Sequence, residues 1–347
     1  MHLPCMSRRD VVALGAVLVA VVGIAGCVPG RASTLAPASD FAFTIDSIYW
    51  LLLWLSAAVF IGVEAALVYA MVRFRRRPGQ GIPPQVHGSV PLEIAWTILP
   101  ALILVVIAVP TMRAVFATQT SPTVAAATTD PPMVVRIIGH QWWWEVRYPE
   151  QNVVTANEVH LPLNQQVDLQ LETADVIHSF WVPRLGGKRD LIPGKVNHIY
   201  MTPTVAEEFY GQCAEFCGIQ HANMKLRVFV EPTEQFDAWI RANQQPAPSG
   251  AALPSDLARQ GEQVFMSSAC VGCHAIQGTV AAAQIGPNLT HFGSRSTIAS
   301  GVLENTPENL ARWIRNPQEV KPGNAMPQLR LTEDQISALV AYLESLK

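Results

Sequence analysis

Charge is what this 347-residue chain has least of: 15% of its residues are charged, against 50% hydrophobic. That balance is too apolar for an ordinary soluble protein. The 24 Lys plus Arg face 27 Asp plus Glu, a net charge of −3, and no basic tract extends beyond one short Arg cluster. The electrostatic footprint that phosphate binding requires is therefore missing, which excludes nucleic acid as a partner. The 22 Gly follow no triplet period and large side chains are plentiful, so collagen-like and disordered classes are excluded as well. Cysteine is scarce, with six in all: Cys5 and Cys27 near the start, then the close pairs Cys213 with Cys217 and Cys270 with Cys273. Close pairs followed by a histidine read as metal or haem attachment.

What is present begins with an export signal. Arg8 and Arg9 precede an apolar run from Val11 to Ala25, too short for a reliable membrane span but right for a signal peptide over residues 1–26. The run ends Ile24-Ala25-Gly26-Cys27, which resembles the lipobox of bacterial lipoproteins and makes Cys27 the candidate lipid-carrying residue. An ordinary signal with a chance cysteine is the alternative, and Cys5 leaves with the leader in either case. An exported segment, 27–47, follows. Ile48 to Val72 is then about 37 Å of apolar helix, and Leu92 to Met112 about 31 Å with Pro100 as a tolerated kink. Residues 48–112 thus form a transmembrane hairpin. Arg73, Arg75, Arg76 and Arg77 lie in its short loop, so the positive-inside rule puts that loop in the cytoplasm and both chain ends outside. Glu64 and Glu93 sit in or beside the spans and must face protein, water or headgroups.

The exported part divides by pattern. After a Thr-, Ala- and Pro-rich stretch from Ala117 to Pro132, strand-length runs such as Val134–Ile138, Val167–Leu171 and Leu226–Val230 alternate with Pro and Gly punctuation. They predict an all-β sandwich over 133–240. A Gln-, Pro- and Ala-rich linker at 244–254 has a flexible span of about 20 Å. Beyond it, 255–347 carries apolar residues at helical spacing, with Thr332 before Glu333 and Asp334 as a helix start. The β region is acidic, 8 Lys plus Arg against 13 Asp plus Glu, and the helical region nearly neutral at 7 against 8. A tethered domain therefore gains its encounters with the acidic one from the linker rather than from charge steering.

Two segments carry chemistry. Cys213-Ala214-Glu215-Phe216-Cys217-Gly218-Ile219-Gln220-His221-Ala222-Asn223-Met224 packs two thiols, an imidazole and a thioether into one loop. Soft sulfur with imidazole suits copper, and a second Cys beyond the one of blue-copper sites points to two ions sharing two bridging thiolates. His178 is the candidate second imidazole. A structural zinc site and a Cys213–Cys217 disulfide are the alternatives. Cys270-Val271-Gly272-Cys273-His274 is the c-type haem attachment sequence, two thiols for the vinyls and a histidine for the iron. A redox Cys-x-x-Cys or half a zinc site is the non-haem alternative. Met326 is the candidate second iron ligand, with His291 as its rival; a Met ligand raises the haem potential.

On these residues the hairpin and β region resemble subunit II of the haem-copper cytochrome c oxidases, which carries the dinuclear copper centre called CuA. The resemblance rests on Leu92-Glu93-Ile94-Ala95-Trp96-Thr97, Gly139-His140-Gln141-Trp142-Trp143-Trp144, the His178 segment, Asp190-Leu191-Ile192-Pro193-Gly194 and the Cys213 to Met224 loop. Trp143 stands where the family often has Tyr. The region from about Pro254 to Lys347, with Gly286-Pro287-Asn288-Leu289, resembles class I cytochromes c. The expected fold is thus a multi-domain membrane protein: a two-helix transmembrane hairpin, an all-β cupredoxin-like sandwich and a small all-α cytochrome c domain. The resemblance implies two copper ions on the side chains of His178, Cys213, Cys217, His221 and Met224 and the Glu215 carbonyl. It further implies magnesium at the Glu215 carboxylate against subunit I, a proton-pathway entrance near Glu93, and Trp142 as the place where electrons enter the copper domain. One covalent haem c would sit on Cys270, Cys273, His274 and Met326.

The implied function is the electron-accepting subunit of a respiratory terminal oxidase coupled to proton pumping in the bacterial inner membrane. Its implied partners are subunits I and III, membrane lipid, and a donor such as a cytochrome c or the cytochrome bc complex. A copper-bearing nitric oxide reductase subunit is a rival reading, and so is a copper-carrying assembly protein, though the latter has no use for covalent haem.

Overall fold

A computed structural model describes residues 30–347 except 77, 80, 82–84, 86 and 120–130. The signal segment and Cys27 lie outside the described residues. Helix α1, Asp40–Arg73, begins eight residues before the apolar run, because Ser39 caps it: its Oγ accepts from Ala42 N at 3.0 Å, and Asp40 places an acidic group in the first turn. That cap also ties the helix to the β domain. Ser39 Oγ donates to Leu185 O at 2.7 Å, and Asp40 Oδ1 accepts from Thr202 N at 2.7 Å. Helix α2, Val90–Gln119, holds Pro100 and Pro110 inside it. Both helices expose large apolar side chains along their length, among them Phe60, Ile61, Leu99 and Leu104. Such surfaces are stable only in lipid or against a partner.

Ten strands form two five-stranded sheets. One runs β3 (Val153–Ala156), β2 (Trp143–Tyr148), β1 (Met133–His140), β5 (Val167–Thr173), β8 (Asn197–Met201); the other runs β4 (Glu158–Pro162), β10 (Lys225–Glu231), β9 (Glu208–Cys213), β6 (His178–Trp181), β7 (Arg189–Leu191). β1 shows why they face each other: every second residue, Met133, Val135, Ile137 and Gly139, points inward. Val135, Ile137, Leu161, Leu169, Phe209 and Val228 meet between the sheets in one apolar core. A helix the strand pattern did not predict, α3 (Thr233–Asn243), packs against β3, β4 and β10 and buries Phe236 and Ile240.

The C-terminal region consists of helices joined by loops, with the two-residue strands β11 (Thr297–Ile298) and β12 (Leu303–Glu304) among them. α4 (Asp256–Ser267) is capped by Ser255 and α5 (Pro307–Arg315) by Thr306, with Pro307 in its first turn. α6 (Pro317–Val320) is one turn, and α7 (Glu333–Ser345) starts in a capping box between Thr332 and Gln335. α4 crosses α7 at Gly261, where an added Cβ would lie 2.0 Å from Ala338 O. Phe265, Leu339, Tyr342 and Leu343 pack around that crossing. The 244–254 linker is laid down rather than loose. Gln244 Nε2 donates to Gln151 O, Ala247 N to Gln277 O, and Leu253 is buried.

Candidate copper and haem sites

Strand pairing assembles the sulfur site. β6 and β9 are antiparallel with Phe180 opposite Cys213, which brings His178, at the start of β6, to the end of β9. Cys213 N donates to Met224 O at 2.9 Å, closing the loop so that its last residue returns beside its first. The donor atoms then converge. Cys213 Sγ is 3.8 Å from Cys217 Sγ, 4.0 Å from His178 Nδ1 and 3.2 Å from Glu215 O. Cys217 Sγ is 3.6 Å from His221 Nδ1 and 3.9 Å from Met224 Sδ.

Separations of this size are those of atoms sharing an ion at bond lengths of about 2.0–2.3 Å. They are far too long for a disulfide, whose sulfurs lie about 2.05 Å apart. The Cys213–Cys217 pairing considered above is therefore not formed, and both cysteines are free. His178, Cys213, Cys217 and Met224 are buried, His221 is half-buried, and the Glu215 side chain is exposed although its carbonyl faces Cys213. The two thiols interact strongly. Hydrogen bonding to Cys217 lowers the pKa of Cys213, and the same contact raises that of Cys217. A cation between the sulfurs would favour the thiolate form of both. Two thiolates, two imidazoles, a thioether and a carbonyl form a soft, enclosed donor set that fits copper.

A residue the sequence reading missed organises this site. Asp175 Oδ1 lies 2.8 Å from His178 Nε2, so Nδ1 is the nitrogen left facing the sulfurs. Its Oδ2 accepts from Gln141 N at 2.6 Å. Burial alone would raise the Asp175 pKa, but the His178 ring and the Gln141 and Val176 amides hold it below the usual carboxylate range. Burial likewise opposes a charge on His178, and Asp175 with Cys213 outweighs it, raising that pKa. Gly139 leaves room for the ring: a Cβ there would lie 2.7 Å from His178 Cδ2.

The three adjacent tryptophans separate into three roles. Trp144 is fully buried and meets Phe180 edge to face, with His178 beside it. Trp143 stacks on His140 at 4.2 Å. Trp142 is half-buried and reaches the sulfur loop, its indole Nε1 donating to Cys217 O at 2.9 Å. Glu93 is exposed in the first turn of α2, remote in sequence and element from this cluster.

In the C-terminal domain Cys270 and Cys273 are half-buried free thiols on the turn after α4. His274 Nδ1 lies 2.8 Å from Pro287 O, which fixes that nitrogen as the donor and leaves Nε2 for a ligand. Gly286 supplies the clearance, since a Cβ there would lie 2.8 Å from His274 Cε1. Arg295 is a second missed residue. It is half-buried, its Nη2 donates to Asn288 O, desolvation pulls it down to about 10, and its Nε has no partner among the described residues. Such a cation near the His274 ring fits a group with carboxylates, as haem has. His291 is engaged elsewhere: its Nε2 lies 3.0 Å from the linker carbonyl Gln245 O. Met326 lies on the loop after α6, which Asn324 and Gln318 brace by bonding its amide and carbonyl.

A two-span anchor joined to a sulfur-rich β-sandwich and a Cys-x-x-Cys-His helical domain defines a membrane-bound electron-transfer subunit. Comparison with known families agrees. The cytochrome c oxidase subunit II transmembrane domain matches residues 36–114, the subunit II periplasmic domain 151–231, and cytochrome c 258–347. Cytochrome c oxidase subunit 2 of Alkalihalophilus pseudofirmus is 41% identical over 84% of this chain and 84% of its own. Those of Bacillus sp. strain PS3 and Bacillus subtilis are 39% and 34% identical, each over 93% of this chain and 94% of their own. The chain belongs to the cytochrome c oxidase subunit II family, with a cytochrome c domain at its C-terminal end. It is a membrane protein with an outer domain, part of an oxidoreductase complex in which subunit I is its partner.

Proposed function

We propose that this chain receives electrons from a cytochrome c or the cytochrome bc complex and delivers them to subunit I of a proton-pumping haem-copper oxidase. The observation that carries this reading is the convergence of His178, Cys213 and Cys217, whose ligating atoms all lie within 4.8 Å of one another. When bound, haem c and a dinuclear copper centre would supply one-electron carriers on the outer side of the bacterial inner membrane. Cys270, Cys273, His274 and Met326 would hold the haem; His178, Cys213, Cys217, His221, Met224 and the Glu215 carbonyl would hold two coppers. Trp142 touches the copper loop at Cys217 O and is the residue through which electrons would enter it. The exposed Glu215 carboxylate is free to bind magnesium against subunit I, and Glu93 stands where a proton pathway into that subunit would open. Subunit III, membrane lipid and a lipidated Cys27 complete the expected assembly, with both chain ends outside. The test is metal analysis with optical and EPR spectra of the purified complex. One covalent haem and a mixed-valence copper pair in this subunit are expected. Zinc, or no copper after reconstitution, would end the copper assignment.

A further inference from the structure

The haem-binding domain rests on the copper domain through contacts that neither cofactor requires. Lys321, on the loop leading to Met326, is only 3% exposed. Among the described residues it has no carboxylate partner; its Nζ donates to Trp142 O at 2.7 Å and to Ala299 O at 3.3 Å. A buried ammonium satisfied only by carbonyls is costly, and burial pulls this one down to about 7. Within the helical domain only the longer bond to Ala299 O offsets that cost.

The second contact is a turn in an unusual conformation. Ala299, Ser300 and Gly301 all have positive φ, of 53°, 63° and 73°. Two non-glycine residues in succession hold that conformation only where their surroundings over-determine it. Here the surroundings are the copper domain. Lys225 N donates to Ser300 O at 3.1 Å, Ser300 Oγ donates to Lys225 O at 3.0 Å, and the turn presents Ala299 O to Lys321. Just before it, Glu158 of β4, buried at 4% exposure, accepts from Ser296 N at 2.7 Å, Ser296 Oγ at 2.6 Å and Thr297 N at 3.1 Å. Each domain thus sends one buried charged side chain onto the backbone of the other.

The contacts extend to the copper loop itself. Gln220 Nε2 donates to Pro322 O at 2.6 Å, and Ile219 lies so close to Gly323 that a Cβ there would come within 2.1 Å of its Cδ1. Trp142 is held on both sides, by Lys321 at its carbonyl and by Cys217 O at its indole. A hydrogen-bonded chain therefore runs from the Met326 loop through Lys321 and Trp142 to Cys217.

We propose that Lys321 is a positioning residue which, together with Glu158, clamps the cytochrome c domain onto Trp142 and holds the Met326 loop against the copper loop. This rests on the function proposed above. With both groups bound, the one electron given up by ferrous haem would be the one that reduces the copper pair, with no docking step between. Because the contacts are buried, added salt leaves the clamp in place.

The test uses the purified oxidase complex and the variants Lys321→Met and Glu158→Ala. Hydrogen exchange is followed over residues 219–228 and 296–301, and haem-to-copper transfer is timed after flash reduction of the haem. Loss of a buried charge-assisted bond opens the interface about tenfold more often. Both segments are expected to exchange about tenfold faster in Lys321→Met, and transfer to slow by a similar factor, while the haem and copper spectra and the rate at which donor reduces haem stay as in wild type. Glu158→Ala acts through Ser296 and Thr297 rather than through Trp142 and gives the same pattern, so the proposal stands or falls on it if Lys321→Met does not assemble. Unchanged exchange, or faster exchange with an unchanged transfer rate, overturns the proposal. A wild-type complex in which haem and copper exchange no electron would instead refute the proposed function, and the exchange data would still judge the clamp.

Discussion

Asp175 offers the sharpest test of the copper assignment, because it touches the proposed metal only through His178. Its Oδ1 lies 2.8 Å from His178 Nε2, and its Oδ2 takes the Gln141 amide at 2.6 Å. Asp175→Ala removes the group that fixes the His178 tautomer and leaves the ring free to turn. Loss of such an outer partner costs about 10–100-fold in metal affinity, equivalent to about 1.4–2.7 kcal/mol. The Asp175 side chain is 30% exposed, so water can replace part of the lost bond and the lower half of that range is expected. Competition against a copper chelator measures the affinity, and EPR of the mixed-valence state reports the ring orientation. Asp175→Asn, which keeps an oxygen facing Nε2, should fall between the two. An affinity within twofold of wild type in Asp175→Ala, with an unaltered spectrum, would refute the tautomer argument.

Other perturbations test the remaining links. Met326→Ala should leave haem covalently attached while shifting its spectrum and lowering its potential, because a thioether ligand favours ferrous iron; potentiometric titration decides, and an unchanged potential removes Met326 from the site. Gly261→Ala places a Cβ 2.0 Å from Ala338 O and 2.7 Å from Tyr342 Cβ, so α4 and α7 must part by more than an ångström. A loss of about 1–3 kcal/mol is expected in guanidinium unfolding followed by haem absorbance; an unaltered midpoint would mean the crossing is looser than described. Glu145 is held below its usual pKa by His140 and Arg147 even though burial pushes the other way. Its folded pKa is depressed, so its contribution is present above the unfolded value of about 4.3 and is lost as pH falls through the folded one. Glu145→Gln should therefore be less stable than wild type at neutral pH, with the two acid-unfolding curves converging as pH falls below about 4; a constant gap between them would exclude the ion pairs as the cause.

What could be read from the sequence was whatever chemistry imposes on contiguous residues. The Cys213 to Met224 loop and the Cys270 to His274 turn carry their donors within a few residues, so spacing exposes them. The apolar spans and the alternation in β1 follow from a solvent or a core that accepts only one kind of surface. Asp175, by contrast, acts on a ring three residues away through a fold in the chain, and an acidic residue near a histidine has no distinguishing spacing. α3 was hidden because Thr233–Asn243 is short and its two buried apolar residues, Phe236 and Ile240, make a weak pattern.

Lys321 and Arg295 show the deeper limit. In the sequence each is one more basic residue of a nearly neutral domain, and the ordinary expectation for such a residue is solvent. Lys321 is instead buried and Arg295 half-buried, and each bonds a backbone carbonyl, Arg295 at Asn288 O near His274 and Lys321 at Trp142 O. The same reasoning reverses the expectation for the linker. Composition at 244–254 predicts a tether that lets the domain wander over about 20 Å. Yet a tether raises encounter frequency only if docking and release recur, whereas Ser296, Thr297, Ser300 and Lys321 each hydrogen-bond the copper domain. Those bonds leave the linker to set which domain is held, and the interface to set how it is held.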